Sequence, residues 1–251
     1  MLSIKEIIKK YKILANKNLG QNFLINEEVC QKIAQAGEVT PSDFVVEVGP
    51  GLGSLTRCLL QSGALGVLIE KDSRFIDIIK NEYSLNGFEI KNEDALKFDF
   101  EALPHNYKVL ANLPYNIGTE LLTNWIIAKN PPSVMVLMLQ KEVVERIVSK
   151  PRTKDYSRLS VLCQSFYECQ KLFDVSKGSF IPEPGVVSSV VILKRKNISL
   201  DAKKLGMLTE RLFQNRRKIL KNALLSLNIQ REDLHNKRAE ELTVEDFINL
   251  L

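Results

Sequence analysis

The tetrapeptide Asn112-Leu113-Pro114-Tyr115 places a side-chain amide, an apolar residue, a proline and an aromatic ring directly after the apolar run at 107–111. The exocyclic amine of adenine is a weak nucleophile because its lone pair is delocalised into the ring. It attacks an electrophile only when hydrogen-bond acceptors hold it in a productive geometry. Asn112 Oδ1 and the Leu113 carbonyl are candidate acceptors, and Pro114 fixes φ and removes a competing N–H. Tyr115 offers a face on which a base can stack. Asn and Pro also punctuate ordinary turns. Position distinguishes this instance: it ends one predicted strand and precedes a helical pattern at 117–128, where α/β sheets bind ligands.

Upstream, Phe44-Val45-Val46-Glu47-Val48 runs into Gly49-Pro50-Gly51-Leu52-Gly53, a strand entering a glycine-rich turn that opens a helix. Glycines at Gly49 and Gly51 admit positive φ and let a ligand approach the backbone. Glu70, at the end of the next strand, is placed to accept hydrogen bonds from both hydroxyls of a ribose. The dinucleotide fingerprint needs a third glycine where this chain has Ser54, and Pro50 deletes a backbone donor. A nucleoside cofactor without phosphates, S-adenosylmethionine, tolerates both departures. Asp94 is a candidate acceptor for its adenine amino group, with a helix N-cap as the ordinary alternative. Glu47 reads either as a ligand of the methionine ammonium or as a buried acid bonded to the loop.

The elements that must position these residues follow an α/β pattern. Strands are predicted at 44–48, 65–70, 88–91, 108–111 and 134–139, with helices near 55–62, 73–83 and 118–127. After a helical segment from Lys141, runs at 168–175 and 186–193 are expected to extend the sheet with antiparallel strands. From Leu200 onward the pattern is helical throughout. Two domains are therefore expected: 1–197, which is catalytic, and 198–251, small, helical and basic.

At 251 residues and 45% hydrophobic, the chain can bury a sizeable core. Four cysteines without a CxxC pair, and two histidines far from them, predict neither a metal site nor a disulfide framework. Reduced thiols, together with no apolar leader and no membrane-length apolar run, point to the cytoplasm. The net charge of +5 is unevenly spread. Residues 194–251 carry 13 Lys and Arg against 8 Asp and Glu, and the first 18 residues carry five Lys against one Glu. Basic ends around a slightly acidic middle suit a phosphate backbone, although solvated lysine faces give the same count.

Together, Lys17-Asn18-Leu19-Gly20-Gln21-Asn22-Phe23-Leu24, the loop from Glu47 to Gly53, Asn112-Leu-Pro-Tyr-Asn-Ile-Gly118 and the basic Phe213-Gln-Asn-Arg-Arg-Lys218 resemble the ribosomal RNA adenine N6,N6-dimethyltransferases, most closely those of the small subunit. The resemblance spans nearly the whole chain. It implies a Rossmann-like class I methyltransferase sheet with a helical C-terminal domain. It also implies that the cofactor is held by Asn22, Leu24, Gly49, Glu70, Asp94 and Asn112. The target adenine would be held by Asn112, Leu113 and Tyr115, with Phe180 stacking on its other face. Arg216, Arg217 and Lys218, read as lying on one helix, would contact phosphate. The implied substrate is small-subunit rRNA within a partly assembled subunit, and the expected state is a monomer. The chain departs from the family at Gly185, Val187 and Asn215, which bears on RNA contacts rather than on methyl transfer. Three alternatives stand beside this reading: a large-subunit dimethylase of the macrolide-resistance type, a non-catalytic ribosome-assembly factor, and a nicotinamide-dependent oxidoreductase.

Overall fold

The computed structural model describes residues 2–16 and 19–251. Nine strands are found among them: β1 Phe23–Leu24, β2 Phe44–Val48, β3 Leu65–Glu70, β4 Phe88–Asn92, β5 Lys108–Asn112, β6 Val134–Gln140, β7 Tyr167–Val175, β8 Phe180–Ile181 and β9 Ser188–Arg195. The helices are α1 Ile4–Lys10, α2 Glu27–Ala36, α3 Thr56–Leu59, α4 Ser73–Glu82, α5 Gly118–Ile127, α6 Lys141–Val148, α7 Arg158–Phe166, α8 Ala202–Phe213, α9 Lys221–Ser226 and α10 Val244–Ile248. Side-chain caps mark several helix starts. Asn26 accepts from Val29 N, Asp72 from Arg74 N and Asp201 from Lys204 N, each satisfying a first-turn donor.

Seven strands form one sheet in the order β4-β3-β2-β5-β6-β9-β7. β4 through β6 run parallel, and β9 is antiparallel to both β6 and β7. The last strand in the chain is thus inserted between β6 and β7. The order reverses at β2, where β3 lies on one side and β5 on the other. Loops leaving the carboxyl ends of β2 and β5 flank that switch point, where open α/β sheets receive ligands.

Alternation along the strands builds two apolar layers, one on each face of the sheet. Val46, Val109, Leu137 and Val191 join one cluster, while Val45, Leu110, Val136 and Val190 join the other. α2 and α4 cover the second face through Ile33, Phe75 and Ile79. The first face is covered by α5, α7 and the C-terminal helices, with Trp125, Leu162, Leu205, Leu224 and Phe247 in one continuous cluster. The helical segment after Asn197 therefore shares the core of the sheet it packs on. Phe213 ties it in, with Tyr156 edge-on at 6.2 Å and Phe247 stacked at 5.6 Å.

Candidate active site

The cavity at the switch point begins with the turn after β2. Gly49, Gly51 and Gly53 adopt φ of 67°, 55° and 82°, the left-handed region that disfavours other residues. A Cβ on Gly53 would lie 2.4 Å from the Tyr83 ring, whose hydroxyl donates to the Leu52 carbonyl at 2.9 Å. The loop is thereby clamped from behind. Ser54, the departure from the dinucleotide pattern, donates to the Leu24 carbonyl at 2.5 Å and fastens the loop to β1.

Glu70 is buried at the end of β3. One carboxylate oxygen accepts from Gly51 N at 3.0 Å and the other from Asp72 N at 2.8 Å. Burial pushes its pKa up, opposed by these backbone donors. A carboxylate has about four acceptor positions, so Glu70, which lines the cavity, keeps capacity for a ligand's hydroxyls. Asp94, also on the cavity wall, accepts from Leu96 N at 3.1 Å and pairs with Lys71 Nζ at 2.8 Å. Lys71 holds its carboxyl below the usual range. No helix follows Asp94 directly; it closes a turn through Leu96 N and stands on the cavity wall. Glu47 is a buried acid: Thr56 Oγ1 donates to it at 2.7 Å, and burial pushes its pKa up to about 8.

β5 delivers the tetrapeptide to the same cavity because β5 is hydrogen-bonded to β2. Pro114 Cδ lies 3.5 Å from where a Cβ on Gly49 would stand, so the two motifs touch although some sixty residues separate them. Asn112, Leu113, Pro114 and Tyr115 all line the cavity. Leu113 is 1% exposed, with its side chain packed in the core cluster. Among the described residues, neither the Asn112 amide nor the Leu113 carbonyl has a hydrogen-bond partner. Both acceptors are therefore unspent, and Asn112 is partly exposed on the cavity wall. The Pro114 carbonyl, by contrast, is spent on Ile117 N and Gly118 N, at 3.2 and 3.1 Å, where α5 begins without a side-chain cap.

Asn22 lines the cavity as expected, whereas Leu24 does not. In a strand successive side chains face opposite ways, so Phe23 takes the cavity side, 3.6 Å from the Cβ position of Gly51, and Leu24 packs in the core. Lys17 and Asn18 of the same motif lie outside the described residues. Gln21 was missed by sequence reasoning. Its amide donates to Asp72 at 2.7 Å and accepts from Asn16 N at 2.8 Å, pinning the N-terminal segment over the loop after β3. No local pattern announced that contact.

Residues 13–250 match the family described as ribosomal RNA adenine dimethylase. The chain belongs to that family. It is 41% identical over 253 residues to the ribosomal RNA small subunit methyltransferase A of Thermotoga maritima, covering 99% of this chain and 88% of the relative. Among solved structures, a dimethyladenosine transferase from Plasmodium falciparum superposes with a TM-score of 0.79 at 28% identity, covering 90% of this chain and 94% of that one. The 23S rRNA methyltransferase ErmE shares the fold, with a TM-score of 0.71 at 22% identity over 91% of this chain and 98% of that one. A dimethylase of this family uses S-adenosylmethionine. The glycine cradle and the cavity-lining carboxylates of Glu70 and Asp94 fit that cofactor. No group of three or more potential metal ligands occurs among the described residues.

Two expectations need correcting. Phe180 is not on the cavity wall; it is 2% exposed in β8, paired with Leu24, and packs within the apolar cluster. Arg216, Arg217 and Lys218 do not share a helix, since α8 ends at Phe213 and they follow in a turn. The cause is long-range. Leu220 N donates to the Lys237 carbonyl at 2.9 Å and Ile219 bridges Arg238, so the chain must leave the helix axis to reach them. Arg216 is bound within the protein, with Nε 2.6 Å from Glu240 and its guanidinium donating to the Thr153 carbonyl at 3.0 Å. Arg217 and Lys218 are exposed and make no ion pair among the described residues.

Proposed function

We propose that the protein transfers two methyl groups from S-adenosylmethionine to the N6 nitrogen of each of two adjacent adenosines in the 3′-terminal hairpin of small-subunit rRNA, acting as a monomer on an assembling subunit in the cytoplasm. One observation carries the reading. Asn112 and Leu113 line the cavity beside the glycine loop, and the amide of the one and the carbonyl of the other have no partner among the described residues, which leaves them for an adenine amine meeting a methyl donor.

The cofactor supplies an electrophilic methyl group, so the protein provides position and polar complementarity rather than a strong base. Asn112 Oδ1 and the Leu113 carbonyl accept the two N–H groups of the target amine. As its nitrogen forms the new bond, those protons become more acidic and the two acceptors hold them more tightly, which stabilises the transition state selectively. Pro114, packed on Gly49, keeps the acceptors aimed. Tyr115 stacks on the base, offsetting the few kcal/mol needed to take it from its hairpin. Phe180 supports β1 from behind the wall. Arg217 and Lys218 contact phosphate, while Arg216 holds their turn in place.

The identity to a relative named for the small subunit supports that substrate over a large-subunit one. The open acceptor pair favours an enzyme over a binding factor. The test is transfer of labelled methyl to small subunits lacking the modification, beside naked small-subunit and large-subunit rRNA, with primer-extension stops to locate the product. Label at paired adenosines of the small subunit is expected. Label on large-subunit RNA, or cofactor binding without transfer to any of the three, would overturn the proposal.

A further inference from the structure

Ser188 is the first residue of β9 and wholly buried. Its backbone is registered against Gln140 of β6 and Val175 of β7, so strands on both sides fix its place. Its hydroxyl oxygen lies 2.6 Å from the hydroxyl of Tyr115, and no other side-chain partner is found for it among the described residues except that phenol. Tyr115 sits on the loop after β5, two strands away in the sheet. The contact therefore reaches across the end of β6.

The segment around Ser188 is braced to stay put. Lys141 N donates to the Val187 carbonyl at 2.9 Å, and Ser189 Oγ donates to Asp174 at 2.6 Å. Asp174 in turn pairs with Lys141 Nζ at 2.7 Å. Tyr115 lacks such bracing of its own: it is half-buried on a loop and lines the cavity. A ring held only at its Cβ can turn about two side-chain torsions. A short hydrogen bond at the far end of the phenol stops the ring's swing about the first torsion, and because a phenol O–H prefers the ring plane, its direction also biases the second. Stacking needs the ring plane set before the base arrives, since ordering it afterwards subtracts from binding.

We propose that Ser188 is a positioning residue for methyl transfer, fixing the plane of the Tyr115 ring against which the target adenine stacks. The inference rests on the proposed role of Tyr115. Ser188 touches neither base nor cofactor and acts through the phenol alone. Because a monomethylated amine must re-seat on the same ring for its second transfer, loosening that ring weighs on the second step as well as the first.

The test is a double-mutant cycle on the full-length protein with Ser188→Ala, Tyr115→Phe and the pair combined. Each single variant is expected to lower turnover by about tenfold, with the affinity for S-adenosylhomocysteine unchanged and the share of monomethyl product raised. The combined variant should be no slower than either single one. Ring-labelled tyrosine spectra supply a readout that needs no RNA: the Tyr115 ring holds one orientation in the wild type and averages in Ser188→Ala. Wild-type turnover in Ser188→Ala, single losses that multiply in the combined variant, or an unchanged Tyr115 spectrum would each overturn the role of Ser188. Failure of the wild-type protein to methylate any rRNA would instead sink the functional reading, and the spectra would still decide whether the anchor exists.

Discussion

The cavity at the carboxyl end of the sheet and the basic turn after α8 are both polar sites, yet they are built in opposite ways. In the cavity the functional atoms are half-buried or buried and held by backbone. Glu70 is gripped by Gly51 N and Asp72 N, and the acceptors at Asn112 and Leu113 are set by β5 pairing with its neighbours. In the turn the charges of Arg217 and Lys218 stand exposed. Only Arg216 is fixed, by Glu240 and the Thr153 carbonyl. The difference fits the role proposed for each. Methyl transfer depends on placement to a fraction of an ångström, which a preorganised scaffold supplies. Phosphate attraction depends on charge and tolerates mobile side chains.

That contrast sets the size of the effects expected on breaking each site. Asn112→Ala should cost the most, at least a hundredfold in turnover, on the order of 3 kcal/mol, as for other preorganised polar groups; single-turnover methyl transfer measures it. Retained activity would remove Asn112 from the chemistry. Glu70→Ala should weaken S-adenosylhomocysteine binding by about ten- to a hundredfold, from lost charge-assisted hydrogen bonds of ~1.5–3 kcal/mol, read by calorimetry. Arg217→Ala and Lys218→Ala should each raise the KM for RNA by only a few-fold and flatten its salt dependence by about one phosphate contact. Arg216→Ala sharpens the comparison from within the turn: it should lower the melting temperature by a few degrees with little change in salt dependence. An equal salt effect from all three residues would erase the distinction drawn among them.

The smallest effect on methyl transfer concerns the buried acid behind the cavity. The ordinary value for glutamate is 4.5, and burial pushes Glu47 up to about 8. The folded protein thus keeps a proton that the unfolded chain releases, so this group's stability contribution is full below 4.5 and declines as pH rises towards about 8. The decline is at most about 1.4 kcal/mol per pH unit. Glu47→Gln should flatten the melting temperature across that window and leave methyl transfer nearly intact, since Glu47 does not line the cavity.

Much of this was written locally. The strands Phe44–Val48 and Leu65–Glu70 and the helix Gly118–Ile127 match their patterns end to end, because near-continuous apolar runs bounded by turn residues mark central parallel strands and the helical spacing of Leu121, Leu122, Trp125 and Ile126 marks the helix. Boundaries set by a partner were less legible. The run expected from Val186 becomes strand only at Ser188, since β6 ends at Gln140, opposite Ser188, and offers nothing further to pair with. Val186 and Val187 are left exposed. α1, α2 and α7 were not assigned from their patterns. A 2.6 Å contact between Tyr115 and Ser188, 73 residues apart, has no local signature at all.

The sequence by itself determined which faces are apolar, where the backbone must turn at positive φ, and which side chains can accept from an amine, because those properties depend on residue type and near neighbours. Only the tertiary structure decided that β2 and β5 lie side by side, that Phe23 rather than Leu24 meets the cavity, that Phe180 is buried, and that the basic triplet leaves its helix. Those outcomes depend on hydrogen bonds and packing between distant segments, which a local pattern permits but does not select.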